Sequence, residues 1–355
     1  MKKILIVDDS LVYRHALTSA LSEEKGLEII GTAKNGQEAL DFIMKNKVDL
    51  ITLDIEMPIM DGFQLITKLT ILPNCPRIIV FTSLDALGAG NALKALRLGA
   101  NDFVTKIAGG VNINESINEI KELLVPKIKS LLKLSALDNL LRNEVSPVNS
   151  NQPVNRENNL RNIKAKYSYI FIGCSTGGPE ALRLIFNNLK GSVMPPIFIV
   201  QHMPPIYTMY LAKALCESTS YNVIEAKHGD IVKSGTCYIA PGDYHMTVVG
   251  HGLLEMKICL NQEEKECFVR PSVNHLFRSS KNMIEKSLFI VLTGMGNDGL
   301  QGIQSLINAG AKPDVIIQDE ASSVVWGMPG EIFNKKLHSS LLSLSMIKDS
   351  LSKLI

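Results

Sequence analysis

Short apolar runs alternate with amphipathic stretches from the first residues to about residue 125. ILIV (4–7), LEIIG (27–31), LITL (50–53), RIIVF (77–81) and DFVT (102–105) are short and uniformly apolar, and predict five buried strands. Between them Leu11, Leu17 and Leu21, and again Leu93, Leu96 and Leu98, fall on helical faces. Strands that alternate with crossover helices form a parallel, doubly wound α/β sheet with both faces covered. Residues 113–141 read as helical segments interrupted by Pro126. SPVNSNQPVNRENNLRNIKAK (146–166) has hardly an apolar residue and predicts a linker that buries nothing. The alternation then restarts with YIFIG (169–173), PIFIV (196–200), CYIA (237–240), LFIVLT (288–293) and DVIIQ (314–318), with helical patterns at 180–189 and 300–310. The reading is of two doubly wound parallel-sheet domains, 1–122 and a larger one at 167–355, joined by a helical and polar linker at 123–166.

A chain of 355 residues is long for one core, which agrees with two domains. The net charge of +2, with acidic and basic residues in balance beyond residue 167, excludes the basic face of a nucleic-acid-binding output domain. The six cysteines show no CxxC pair or zinc-like spacing, as expected in a reducing compartment. MKKILIVDDS is no signal peptide, and no apolar run approaches the ~18 residues of a membrane span. A cytoplasmic protein without membrane insertion is expected.

Parallel sheets carry their sites at the carboxyl ends of the strands. In the first half Asp8 and Asp9 follow strand one, Asp54 ends strand three, Thr82 ends strand four and Lys106 follows strand five. Three carboxylates on one edge repel unless a hard cation sits among them. A hydroxyl and an ammonium facing the same spot suit a phosphoryl group. Acidic residues also decorate strand-to-helix loops as caps, but this set occupies four strand ends together. The pattern DD…D…T…K, with DIEMPIMDG at 54–62, resembles the receiver domain of two-component response regulators over residues 1–122. The resemblance implies a five-stranded flavodoxin-like fold and Asp54 as phosphoacceptor. It further implies Mg²⁺ held by Asp8, Asp9 and Asp54, Thr82 touching the phosphoryl group, and Lys106 pairing with it. Ile107 stands where receivers usually carry Pro, and Phe103 lies near the family's switching aromatic or in the core.

In the second half GCSTGGP (173–179) turns from a strand into a helix, with Pro179 suited to the first helical turn. Cys174 and Ser175 are both potential nucleophiles, and the glycines could instead cradle a phosphate. Along the strand Cys174 falls beneath the corner as a small buried residue, whereas Ser175 sits on the turn within reach of the helix dipole. QHMPP (201–205) puts His202 at the next strand end, and LTGMGNDG (292–299) puts Asp298 in a loop after another. Three neighbouring strand ends then offer Ser, His and Asp, the set used in acyl transfer. Gly294-Met295-Gly296-Asn297-Asp298-Gly299 also spells a dinucleotide fingerprint, with Asp319 about 20 residues further on. Asp298 argues against it, since its carboxylate would face a pyrophosphate.

GCSTGG, QHMP, APGDYHM (240–246), RPSVNHLF (270–277), TGMGNDG and QDEASSVVWGMP (318–329) together resemble the catalytic domain of chemotaxis protein-glutamate methylesterases, with a Rossmann-like α/β fold, over about 168–345. The resemblance implies Ser175 as nucleophile, His202 as general base and acid, and Asp298 orienting His202. Thr176 would support the site and the Met295 amide would help hold the oxyanion. Asn274 stands where the family commonly has Asp, and Asp243 and His245 are loop-shaping or alternative acid and base. The implied activity is phosphorylation-activated hydrolysis of glutamate methyl esters on methyl-accepting chemoreceptors, with deamidation of receptor glutamines. A histidine kinase would be the phosphodonor, Mg²⁺ would serve the receiver alone, the esterase would need no cofactor, and the protein would be a monomer. The different-class alternatives are a non-enzymatic response regulator with a partner-binding output domain, and a hydrolase of small esters.

Overall fold

In a computed structural model of the chain, residues 1–106, 113–132, 167–187, 189, 195–250 and 256–353 are described. The chain divides into two units, Met1–Val148 and Asn149–Ile355.

The first unit holds β1 (Lys2–Val7), β2 (Leu27–Ala33), β3 (Leu50–Asp54), β4 (Arg77–Thr82) and β5 (Asp102–Thr105), every pair parallel, in the order β2-β1-β3-β4-β5. The helices α1 (Leu11–Ser22), α2 (Gly36–Lys45), α3 (Gly62–Thr70), α4 (Ala86–Leu98) and α5 (Ile113–Leu131) intervene or follow. Ile4, Leu5, Ile6, Leu50, Ile51, Ile78 and Ile79 are fully buried, as a sheet covered on both faces requires. The strand order reverses between β1 and β3, so the residues after these strands flank the crevice where such sheets bind ligands. Ser10, Asn35, Asp61 and Asp85 each accept a hydrogen bond from the first turn of the helix they precede. Asp61 and Asp85 are thus capping carboxylates, and Asp8 and Asp54 are not.

The interruption expected at Pro126 does not occur, and α5 runs through it to Leu131. Pro126 removes the amide that would reach the Glu122 carbonyl, but Glu122 is exposed and solvent can take its place. Ile120, Leu124, Ile128 and Leu131 form a buried stripe, and Lys121 and Lys129 pair with Glu24 at 3.2 and 2.7 Å. The expected domain end at 122 falls inside α5, whose residues pack on the first unit through that buried stripe. Ile107 and the rest of the expected linker from 133 to 166 lie outside the described residues.

The second unit is built on β6 (Tyr169–Cys174), β7 (Ile197–Gln201), β8 (Asn222–Glu225), β9 (Thr236–Ile239), β12 (Ser287–Val291), β13 (Asp314–Gln318) and β14 (Ser340–Leu342). They form one parallel sheet ordered β14-β13-β12-β6-β7-β9-β8, beside an antiparallel hairpin of β10 (His245–Val249) and β11 (Lys257–Asn261). The helices are α6 (Gly178–Phe186), α7 (Tyr207–Cys216), α8 (Val273–Ser279), α9 (Leu300–Asn308), α10 (Met328–Asn334) and α11 (Leu344–Lys353). The five strands expected from the apolar runs form the middle of the sheet. The edge strands β8 and β14 are short and partly exposed, so they lack the continuous apolar run that marks a central strand. No helix among the described residues is long and apolar enough to cross a membrane.

One row of the core fixes the register beneath the site. Phe289, Phe171, Phe198 and Tyr238 are partners across β12, β6, β7 and β9. Their rings stack at centroid distances of 5.3, 5.0 and 5.8 Å. Replacing the central ring, Phe171→Ala, is expected to lower stability by about 3–5 kcal/mol, read as a lower urea midpoint for the second unit.

Candidate functional site

The carboxyl edge of the first sheet gathers the residues expected there. Asp8, Asp9 and Asp54 each present a carboxylate oxygen, all within 4.8 Å of one another. Lys106 Nζ lies 2.7 Å from Asp54 Oδ2 and 3.5 Å from Asp8 Oδ2, and its backbone amide donates to the Thr82 carbonyl at 2.6 Å. Thr82 is buried at the end of β4, and Phe103 is buried in the core. Burial works against the Lys106 charge, but Asp54 and Asp8 outweigh it and raise the ammonium above its ordinary value. Burial, and then the neighbouring Asp54, push the Asp8 carboxyl up to about 6. Asp8 Oδ2 is buried and makes no hydrogen bond among the described residues. A buried, unbonded carboxylate oxygen beside two other carboxylates fits a hard divalent cation such as Mg²⁺. Arg14, which sequence patterns did not single out, donates to the carbonyls of Asp8 and Asp9 at 2.7 and 2.9 Å and holds the acidic loop.

In the second unit the sheet register itself brings Ser175 and His202, the expected nucleophile and base, together. Cys174 is paired with Gln201, and the ladder continues one step with the His202 amide donating to the Cys174 carbonyl at 3.2 Å. Ser175 and His202 therefore leave adjacent strands side by side. On the other flank the Ser175 amide donates to the Thr293 carbonyl at 3.0 Å. The chain turns through Gly177, whose φ of 79° lies in the left-handed region that favours glycine, into α6 with Pro179 in its first turn. Cys174 is fully buried, and burial pushes its thiol far up, which disfavours the reactive thiolate.

His202 Nε2 lies 2.8 Å from Asp298 Oδ2. The Asp298 carboxylate is 2% exposed and takes four further donors. These are the Ser272 hydroxyl at 2.9 Å and the amides of Val273 at 2.6, Asn274 at 3.0 and Gly299 at 2.9 Å. Burial opposes the charge, but the bonds from His202, Val273 and Asn274 prevail and hold the carboxyl below its ordinary value. Asp298 stays ionised and fixes the Nε2–H tautomer, which leaves Nδ1 as the basic nitrogen.

A Cβ on Gly294 would lie 2.9 Å from Ser175 Cβ, so the 294–296 loop runs directly against Ser175. The Met295 amide, one residue on, makes no hydrogen bond among the described residues and is available as a donor. Thr176 is buried, and its carbonyl accepts from the Thr293 hydroxyl at 2.9 Å, which ties the 175–177 turn to the segment that follows β12. The dinucleotide reading of this loop does not hold. The Gly299 and Gly302 amides at the start of α9 donate to Asn274 Oδ1 at 2.9 and 2.7 Å, so they are engaged inside the protein.

Asp243 and His245 are not an alternative acid and base. His245 is fully buried, accepts from the Ser272 amide at Nδ1 and lies 3.0 Å from the Glu264 carbonyl through Nε2. Burial lowers its pKa, so it is a neutral support for Ser272 and, through Ser272, for Asp298. Asp243 is paired with Arg270 at 2.7 Å. Asn274 accepts from the α9 amides and donates through Nδ2 to Glu266 at 3.0 Å. An Asp here would set a second carboxylate against Glu266, so the amide suits this chain's own neighbour.

Residues 170–351 match the family model described as CheB methylesterase, and residues 4–118 match the response regulator receiver domain. A protein-glutamate methylesterase/protein-glutamine glutaminase from Trichodesmium erythraeum (strain IMS101) is 38% identical over 354 residues, covering 99% of each chain. One of the same description from Nocardioides sp. (strain ATCC BAA-499 / JS614) is 37% identical over 96% of this chain and 92% of its own. The crystal structure of the Thermotoga maritima CheB methylesterase catalytic domain is 34% identical, with a TM-score of 0.50, and covers 53% of this chain and 99% of its own.

Asn274→Ala would strip the acceptor from the Gly299 and Gly302 amides and loosen the loop that carries Asp298. The expected cost is about 1–3 kcal/mol in chemical denaturation, with a parallel loss of hydrolytic rate.

Proposed function

Because this chain belongs to the CheB methylesterase family, with a response regulator receiver domain in front, we propose that Ser175, His202 and Asp298 carry out its hydrolysis of glutamate methyl esters on chemoreceptors. The observation that carries this is the 2.8 Å contact of His202 with a buried, multiply bonded carboxylate, one strand away from a serine on a sharp turn. His202 Nδ1 takes the Ser175 proton as Oγ attacks the ester carbonyl, and Asp298 stabilises the imidazolium that forms. The Met295 amide stabilises the oxyanion. The tetrahedral adduct collapses, His202 returns the proton to the leaving oxygen, and methanol departs. Water then attacks the glutamyl ester of Ser175 with His202 again as base, restoring the serine and a free glutamate. The same acyl chemistry with ammonia as leaving group converts a receptor glutamine to glutamate.

The receiver supplies the control. Asp54 accepts a phosphoryl group from a histidine kinase, Lys106 pairs with that group, and Thr82 contacts it. Asp8, Asp9 and Asp54 would hold Mg²⁺, which neutralises phosphoryl charge when bound. A phosphoryl group drawing Thr82 and its loop inward biases a two-state surface, the general route by which such switches act. A non-enzymatic output domain would not need an ionised carboxylate buried against a histidine beside a serine. The proposed organisation keeps a receiver, a polar linker and a catalytic domain, within the cytoplasm and as a monomer.

The test is methanol release from methyl-labelled receptor, with and without a small-molecule phosphodonor. Ser175→Ala and His202→Ala are expected to lose release by orders of magnitude, and Cys174→Ala to keep most of it. The opposite pattern for the first and third variants would overturn the assignment. Asp54→Asn is expected to remove stimulation by the phosphodonor.

A further inference from the structure

Gln201 is the last residue of β7, is paired with Cys174 and is 2% exposed. Its Nε2 donates to the Ser175 carbonyl at 3.0 Å and to the His202 carbonyl at 3.1 Å. Both amide protons thus bind the peptide groups that immediately follow the two reacting side chains. Because both partners are carbonyls, the NH₂ end must face them, and Oε1 is left buried with no hydrogen bond among the described residues. An unpaired buried acceptor costs free energy that an apolar side chain would avoid. The same side chain packs on the start of α6. A Cβ on Gly178 would lie 2.0 Å from Gln201 Oε1 and 3.0 Å from its Cδ, so glycine at 178 leaves the room the amide occupies.

Among the described residues no hydrogen bond joins the Ser175 hydroxyl to His202. Their separation therefore rests on the contacts that hold each turn: the Ser175 amide on the Thr293 carbonyl, the Gly178 amide on the Ser175 carbonyl, His202 Nε2 on Asp298, the ladder bond from His202 to Cys174, and the two bonds by which Gln201 joins both turns. We propose that Gln201 is a positioning residue, a clamp that holds the nucleophile turn and the base turn at a reactive separation. It touches no substrate atom and acts through Ser175 and His202, so it rests on their assignment above. A misplacement of about 1 Å can cost on the order of 100-fold in rate, which is the scale such a clamp governs.

The experiment uses the full-length protein in a cycle of Gln201→Ala, Gly178→Ala and the double variant. Methanol release from methyl-labelled receptor gives kcat and KM, phenylmethanesulfonyl fluoride reports Ser175 reactivity, and thermal melts report folding. Gln201→Ala is expected to lower kcat and the sulfonylation rate together, by roughly 10- to 100-fold, with KM nearly unchanged. Gly178→Ala keeps the glutamine but crowds its amide, and is expected to lose kcat in the same way. If it acts through Gln201, the double variant is no worse than Gln201→Ala alone. Native kcat in a folded Gln201→Ala, a loss confined to KM, or losses that multiply in the double variant would each overturn the clamp. Should Gln201→Ala not fold, Gly178→Ala decides, and native kcat there refutes the proposal. Full methanol release by Ser175→Ala would instead refute the underlying assignment, so the two failures are distinguishable.

Discussion

A charged carboxylate buried away from water must be met by donors or it will take a proton, and the second unit is arranged around one such group. Asp298 draws in Ser272, Val273 and Asn274 at the start of α8, Gly299 at the start of α9, and His202 at the end of β7. His245, at the start of the hairpin, accepts from the Ser272 amide and so stands one bond behind the same carboxylate. Loops that lie far apart in the chain are thereby fixed relative to the parallel sheet. The basic nitrogen of His202 is oriented as a consequence of satisfying that charge.

The two units solve the same electrostatic problem in opposite ways. Asp8 is as buried as Asp298, yet its carboxyl rises to about 6, through burial and then the nearby Asp54, while Asp298 falls below 3.8. Asp298 thus supports the fold at pH above 3.8, and that support is lost as pH falls through its lowered native value. Asp8, raised from 3.8 to about 6, costs stability as pH rises through that interval, and the cost is present in full above about 6. Crowded carboxylates short of donors suit a site that must attract a cation and an anion in turn. A carboxylate saturated with donors keeps its charge even where water is excluded.

Much of this was legible from residue pattern because parallel strands are buried on both faces and announce themselves as apolar runs. Chemistry placed immediately after such runs lands on one edge of its own sheet, so Asp8 with Asp54, and separately Ser175 with His202, could be grouped from the sequence alone. The hairpin β10-β11 and the edge strands β8 and β14 were not legible, since partial exposure breaks the apolar run. Pro126 misled for a related reason. Proline disfavours a helix locally, but the buried stripe of Ile120, Leu124 and Ile128 holds α5 across it. Gln201 lay within a recognised motif, yet nothing in a string of residues says that a glutamine amide spans two carbonyls.

The sequence by itself determined the two α/β halves, the strand ends that carry the candidate groups, and the burial of Cys174 beside Ser175, because alternation along a strand puts one side chain under the sheet and leaves the next on the turn. Only the tertiary structure decided which nitrogen of His202 faces Asp298, that His245 is a neutral support, and that the Gly294–Gly299 loop lies against a serine. Those facts depend on contacts between segments distant in the chain. Their geometry follows from strand order and register, and from the need to give each buried polar group a partner, neither of which any local stretch of sequence contains.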